Sequence, residues 1–344
     1  MENRTDRPGG PYCGETMGSV GLVLGGGGIT GASYHLGCLL SLEMATGWHP
    51  NDAAVVVGTS SGAFTTAMLR GGQLSIDTFI DDAGSRTEAN ERLRVRCYPR
   101  ARPGGVVRWL RRGVLPGLTS GPDLRMVAGS PAMYSTAGIM DWIEERIGAD
   151  MALGWPDRPT VIVGFDLASR KRAAFGTDAA PEVPFKIAVG ASLVVPMVYE
   201  PVQIKGRWYS DGGMASGTSA DLVLGLDQPL DLIIVSAPMA AFDARPGARF
   251  YEGAFDRVGR VALDIELARI RDAWPETDIV VLRPDDKILE VSRPNPMSTR
   301  AAIPAFLRTL RTMRDQLSRP EVWEVLRHHL GAAPRPVAPA RTTW

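Results

Sequence analysis

The stretch Gly58-Thr59-Ser60-Ser61-Gly62 constrains the fold more than any other. An apolar, β-branched run, Ala53-Ala54-Val55-Val56-Val57, leads straight into it, and a helix-like run from Ala63 to Arg70 leads straight out. Strand, Gly-x-Ser-x-Gly and helix in succession describe a nucleophile elbow. The turn is so tight that the residues beside the serine must lack bulk, which makes Gly58 and Gly62 its supporting residues. The hydroxyl is lifted to a strand tip, at a helix N-terminus whose dipole favours developing negative charge. Ser60 is therefore the candidate nucleophile. The competing reading is a chance match in a glycine-rich loop, and the flanking strand and helix count against it.

A second glycine turn lies upstream. Val20 to Leu24 reads as a strand, followed by Gly25-Gly26-Gly27-Gly28-Ile29-Thr30-Gly31 and a helix over Ala32 to Glu43. Apolar residues at 36, 39, 40 and 42 give that helix one buried face, and Gly37 within it suggests close approach to a sheet. Four consecutive glycines cost folding entropy and need a reason. Bare backbone N–H groups beside a helix start form an anion cradle. Three readings compete. Gly26-x-Gly28-x-x-Gly31 matches a dinucleotide fingerprint, but that fold needs an acid at the end of the next strand, where this chain has Gly58-Thr59-Ser60. A turn without a ligand is the second. The third is an oxyanion hole for an acyl-transfer intermediate. It is favoured because both glycine turns leave C-terminal ends of neighbouring parallel strands, where ligands bind in open α/β sheets.

A serine nucleophile needs a base. The chain has four histidines. Ser60, Asp211 and His328 satisfy the Ser, acid, His order of α/β-hydrolases on paper. His328 and His329 lie in a charged helix beside the C-terminal tail, however, and read as solvated. His35 reads as a packed helix residue. Asp211 is the other candidate, because Gly212 and Gly213 after it let backbone approach while the carboxylate faces a cleft. Its competing reading is plain turn chemistry in Ser-Asp-Gly-Gly. A carboxylate with pKa near 4 is a weak base unless it is desolvated and bonded directly to the hydroxyl, at about 2.6–3.2 Å.

Composition narrows the classes. With 44% hydrophobic and 22% charged residues in 344, a sizeable core is available. Lys+Arg equals Asp+Glu at 38 each, which gives no case for nucleic acid or for bulk attraction to anionic membranes. Cys13, Cys38 and Cys97 are too scattered for a disulfide framework or a zinc site and fit a reducing compartment. Cys38 reads as packing. Residues 1–18 are polar and carry no signal-peptide core, and no run reaches ~18 apolar residues, so a cytoplasmic protein is expected.

Further along, Gly71-Gly72 ends the elbow helix and the chain reads as irregular, with an Arg-rich stretch at 84–104. Residues 104–118 are short, apolar and basic around Trp109: a lid or interfacial helix in peripheral contact with a membrane, or an ordinary surface helix. A helix over 141–147 stops at Gly148. Pro159 to Asp166 reads as a strand and Lys171 to Phe175 as its hairpin or edge partner. A short helix follows over 184–192. Two buried strands, at 232–236 and 278–282, are joined by a long helix from about 250 to 274. Helices at 299–318 and 320–330 precede a Pro-rich tail. Parallel strands alternating with helices imply a layered α/β domain.

Taken together, Leu24 to Gly31, Gly58 to Ala63 and Asp211-Gly212-Gly213 resemble the three signature blocks of patatin-like phospholipases. Ala191-Ser192-Leu193-Val194-Val195-Pro196 is similar to that family's Ala-Ser-x-x-x-Pro segment before the catalytic aspartate. The resemblance covers roughly residues 20–225. It implies a three-layer α/β/α fold with a mostly parallel central sheet, and a Ser60–Asp211 dyad that works without histidine. Gly26, Gly27 and Gly28 would be the oxyanion hole. It implies a lipid acyl hydrolase acting on phospholipids, glycerides or other fatty-acyl esters, with no metal and no cofactor. The layout expected is a tail over 1–18, the patatin-like domain over 19–225, an α/β portion over 226–331 packed on it, and a tail over 332–344. One departure stands out: the family usually carries Arg or Lys where this chain has Thr30. A catalytically weak lipid- or partner-binding protein on the same scaffold, and a Ser-Asp-His esterase, remain as alternatives. Oligomeric state is not legible in the sequence.

Overall fold

The side chains of the central strands alternate between two buried faces, and that alternation sets the architecture. The computed structural model describes residues 19–80, 83–99, 132, 134–244, 246–248 and 250–331. In chain order the principal elements begin with β1 (Val20–Leu24), α1 (Gly28–Thr46), β2 (Val55–Thr59), α2 (Ser61–Arg70), α3 (Arg86–Cys97) and α4 (Ala137–Ile147). They continue with β3 (Thr160–Asp166), β4 (Lys171–Phe175), α5 (Phe185–Ser192), β5 (Val202–Ile204), β6 (Arg207–Asp211) and β7 (Leu232–Ser236). The last are α6 (Phe250–Ala273), β8 (Asp278–Leu282), α7 (Asp286–Ser292), α8 (Ala302–Leu317) and α9 (Pro320–Leu330).

Strands β1, β2, β3 and β7 are buried along their whole length. Leu22, Leu24, Val56 and Ile234 pack with α1, α8 and α9 on one face. Val23, Val57, Val163 and Val235 pack on the other, against Leu263, Leu267 and Ile270 of α6. A two-residue period with both faces apolar is what a sheet between two helical layers requires. The result is the three-layer α/β/α arrangement. The sheet runs β5-β6-β3-β2-β1-β7-β8, with β4 also paired to β3. Strands β3, β2, β1, β7 and β8 are parallel neighbours. β4 and β6 join β3, and β5 joins β6, in antiparallel pairs, which makes the sheet mixed.

The register around β3 positions the site. Ile162 faces both Gly58 of β2 and Phe175 of β4, and Gly164 faces both Asp211 of β6 and Ala173 of β4. A strand residue has only two lateral neighbours, so β2 and β6 share the side of β3 that β4 does not occupy. β2 runs parallel to β3 and ends beside Val163, while β6 runs antiparallel and ends beside Gly164. The two strands therefore meet tip to tip. One tip leads into Ser60 and the other ends in Asp211.

The elements differ from the sequence reading at several edges. β2 spans 55–59 rather than 53–57 because its pairing with β1 begins at Gly21 opposite Val55. α1 starts at Gly28, inside the glycine run, and closes at Gly47 in the left-handed region, φ 73°. Gly37 faces a helix, not the sheet: a Cβ there would lie 2.7 Å from the Thr309 side chain of α8. The stretch read as irregular contains α3, whose Ser85 side chain accepts from Glu88 N–H. Ser-x-x-Glu was a legible helix start that charge-rich composition obscured. The segment 104–118 and both tails lie outside the described residues. Residues beyond 225 add β7 and β8 to the same sheet and lay α8 against α1.

Gly37→Val should drive a side chain into Thr309 and cost about 1–3 kcal/mol in urea unfolding. Met44→Ala, on the exposed side of the same helix, should stay within about 0.5 kcal/mol.

Candidate active site

Ser60 is the single residue between β2 and α2. Its φ of 55° and ψ of −121° put a non-glycine residue at positive φ, a conformation that the surroundings must enforce. The space shows how. A Cβ on Gly62 would lie 1.9 Å from the Leu24 carbonyl oxygen, and one on Gly58 would lie 2.5 Å from Thr66 Oγ1. Both glycines are there for close approach. The Ser60 N–H donates to Ser192 Oγ at 2.8 Å, and the Ser192 hydroxyl donates to the Val163 carbonyl at 2.6 Å. In the sequence Ser192 stands out only as part of the Ala-Ser-x-x-x-Pro block. Its work is to tie the elbow to β3. The same block supplies the Val194 carbonyl, which accepts from the Asp211 N–H at 3.0 Å.

Ser60 Oγ donates to Asp211 Oδ2 at 2.6 Å. Asp211 Oδ1 accepts from the Gly213 N–H at 2.7 Å. Gly212 is needed because a Cβ there would lie 2.3 Å from the Val163 carbonyl oxygen. Ser60 and Asp211 are only 4% and 5% exposed. Burial pushes the Asp211 carboxyl up from 3.8 to about 6, against the hydrogen bonds from Ser60 and Gly213 that pull it down. Desolvation thus makes this carboxylate a stronger base than one in water.

The glycine run bends around the same point. A Cβ on Gly26 would lie 3.2 Å from Ser60 Cβ. The Gly26 N–H donates to the Gly217 carbonyl at 2.7 Å, which commits the first of the three expected oxyanion donors to the fold. The Gly27 and Gly28 N–H groups have no acceptor among the described residues. Gly28 has φ +64°, and a Cβ on it would lie 2.7 Å from the Pro296 carbonyl oxygen. Two free donors at a helix start beside a serine suit a developing oxyanion.

The histidines are elsewhere. His35 is fully buried, with Nε2 2.6 Å from the Gly25 carbonyl oxygen and Nδ1 2.8 Å from Ser236 Oγ. His329 Nε2 lies 2.7 Å from Asp278 Oδ2. Asp278 opens β8, at the edge of the parallel sheet opposite the tips that carry Ser60 and the glycine turn. His329 is therefore paired rather than solvated, and far from the serine. The Ser, Asp, His order met on paper is not assembled in space.

An apolar pocket opens on Ser60. Phe64, Leu93, Trp142, Leu193, Tyr199 and Met297 line it. Cys97 also reaches it, and burial pushes that thiol up to about 12, so it stays protonated. Leu93 and Cys97 come from α3, and Met297 from a loop beyond residue 225.

Residues 22–224 match a family model described as patatin-like phospholipase. The chain belongs to the patatin-like phospholipase family. No curated protein matches it. Among solved structures it is similar to VipD from Legionella pneumophila, at 13% identity and a TM-score of 0.37, covering 87% of this chain and 67% of that one. It is also similar to human GIVD cytosolic phospholipase A2, at 11% identity and a TM-score of 0.40, covering 92% and 63%. For the complex of that enzyme with methyl gamma-linolenyl fluorophosphonate the figures are 12%, 0.37, 92% and 60%. The chain thus spans 60–67% of the length of these proteins.

In this patatin-like chain Thr30 carries a neutral side chain that is 1% exposed. Its N–H donates to the Pro296 carbonyl at 3.0 Å, and its hydroxyl has no partner among the described residues. No helix among the described residues is long and apolar enough to cross a membrane.

The raised Asp211 pKa has a stability consequence. The folded state binds the proton more tightly than the unfolded chain, so stability falls as pH rises from the unfolded value, 3.8, through about 6. Above that the charged, buried group costs about 3 kcal/mol. Asp211→Asn should raise the unfolding free energy at pH 8 by about 1–3 kcal/mol, and the gain should vanish by about pH 4. Denaturant melts at both pH values read this directly.

Proposed function

We propose that this chain is a serine acyl hydrolase of lipid esters, of the phospholipase A or related esterase type. The observation that carries the reading is the 2.6 Å hydrogen bond from Ser60 to a desolvated Asp211, at the end of an apolar cavity. Family membership supports lipid acyl hydrolase activity in general. The apolar lining suits a fatty-acyl chain, whose burial drives binding through the hydrophobic effect.

The chemistry follows from the positions. Asp211 takes the Ser60 proton as Oγ attacks the ester carbonyl carbon. The oxyanion forms beside the Gly27 and Gly28 N–H groups, each such donor being worth about 2.7–4 kcal/mol where measured. The C–O bond to the alcohol then breaks, and Asp211 returns the proton to the leaving alkoxide. Water attacks the acyl-enzyme by the reverse route and gives up a proton to Asp211, releasing the fatty acid and restoring Ser60. Substrates of this class are phospholipids, glycerides and other fatty-acyl esters. Residues 104–118 remain the candidate for membrane contact.

Ser60→Ala and Asp211→Asn should each lower kcat by about a thousandfold or more with the fold retained. Full turnover by Ser60→Ala refutes the assignment. A fluorophosphonate should label Ser60, whereas lipid retained without labelling would favour a binding protein. Replacing His328 and His329 together by Ala should leave kcat within about twofold; a loss of decades would restore the histidine triad. Because Asp211 must be unprotonated to act, kcat/KM should fall about tenfold per pH unit below about pH 6.

A further inference from the structure

The Gly27 and Gly28 N–H groups can serve Ser60 only if the loop carrying them is held, and the His35 side chain bonds to that loop. The Gly25–Gly26 peptide is fixed at both ends. Its N–H donates to the Gly217 carbonyl, and its carbonyl faces His35 Nε2 at 2.6 Å, with the Gly62 N–H at 3.1 Å. The Ser61 hydroxyl adds a third donor at 3.3 Å. A carbonyl oxygen only accepts, so Nε2 carries the hydrogen and Nδ1 is the acceptor. The Ser236 hydroxyl therefore donates to Nδ1, at 2.8 Å. Ser236 also accepts from the Gly25 N–H through its own carbonyl, at 3.0 Å. Gly25, His35 and Ser236 close a ring of three hydrogen bonds among α1, β7 and the glycine turn.

We propose that His35 is a positioning residue of the acyl-transfer site. With Ser236 it locks the Gly25–Gly26 peptide so that the next two N–H groups stay beside Ser60 Oγ. The inference rests on the acyl-hydrolase reading. Burial lowers the imidazole pKa to about 4, so the ring is neutral, in a single tautomer, at neutral pH. The Gly25 carbonyl joins two machines that must be in register: the donor loop through its own chain, and the serine elbow through Gly62. A small displacement of such donors costs rate while leaving binding in the apolar cavity alone.

The test compares the full chain with His35→Leu, His35→Gln and Ser236→Ala. It measures kcat and KM on a soluble p-nitrophenyl ester and the rate of fluorophosphonate labelling, with circular dichroism checking the fold. His35→Leu should lower kcat and labelling rate about 10- to 100-fold, with KM within about twofold. His35→Gln, which can present an N–H near the Nε2 position, should recover most of the loss. Nitrogen NMR of the wild-type imidazole should show the hydrogen on Nε2. A folded His35→Leu with wild-type kcat, a loss confined to KM, a His35→Gln no faster than His35→Leu, or a hydrogen on Nδ1 overturns the proposal. If His35→Leu does not fold, Ser236→Ala decides. It keeps the Gly25 N–H bond to the backbone, and an unchanged kcat overturns the clamp. A wild-type chain that neither turns over ester nor takes the label sinks the acyl-hydrolase reading instead.

Discussion

Two strands ending against each other along one edge of β3 are the constraint on which the site depends. β2 stops beside Val163 and β6 stops beside Gly164. The gap left between the tips is one hydrogen bond wide, and Ser60 and Asp211 fill it. Several surrounding features serve that junction. Gly212 gives way to the Val163 carbonyl, and Ser192 bridges that carbonyl to the Ser60 N–H. Gly62 yields to β1. The bare backbone at Gly62 and Gly212 lets the strand ends converge within a few ångströms.

The junction is held against two local penalties. Ser60 sits at positive φ, and Asp211 is charged at neutral pH in a place that penalises charge. The rest of the fold must outweigh both. It does so with strands buried on both faces and helices covering each layer, where apolar burial is largest. The conflict is local and chemically purposeful on the proposed reading: the desolvation that costs stability is what moves the carboxylate toward working pH. Arg293 and Asp256 make a second buried commitment, a two-pronged ion pair in which Arg293 also donates to the Pro238 carbonyl. Pro238 packs on Gly27 and Pro296 lies over Gly28, so residues beyond 225 close the outer side of the donor loop.

Much of this was legible because short-range rules dominate locally. Gly-x-Ser-x-Gly between a β-branched run and a helix has few other structural uses. The four glycines cost folding entropy and asked for a reason. Asp211 stood out through the two glycines after it. Other parts were hidden for identifiable reasons. The three oxyanion candidates look alike in sequence, and only the 2.7 Å bond to Gly217 separates Gly26 from Gly27 and Gly28. α3 was obscured by its arginines, although its capping box was visible. Gly37 signalled close approach correctly but named the wrong partner, since a glycine cannot say whether a sheet or a helix will press on it. His35 read as packing, and it is packed; what it packs against makes it interesting.

By itself, the sequence determined the strand-turn-helix units and the apolar period of the sheet, and it singled out Ser60 and Asp211 as the candidate pair. Those depend on neighbours a few residues apart, where backbone sterics and side-chain period act directly. Tertiary structure alone decided which strand lies beside which, and hence that residues 151 positions apart share a hydrogen bond. It also decided that the Asp211 carboxyl is desolvated, that His329 sits at the far edge of the sheet, and that Met297 lines the cavity. Register and burial are properties of the assembled sheet, because each arises only when distant segments exclude water together.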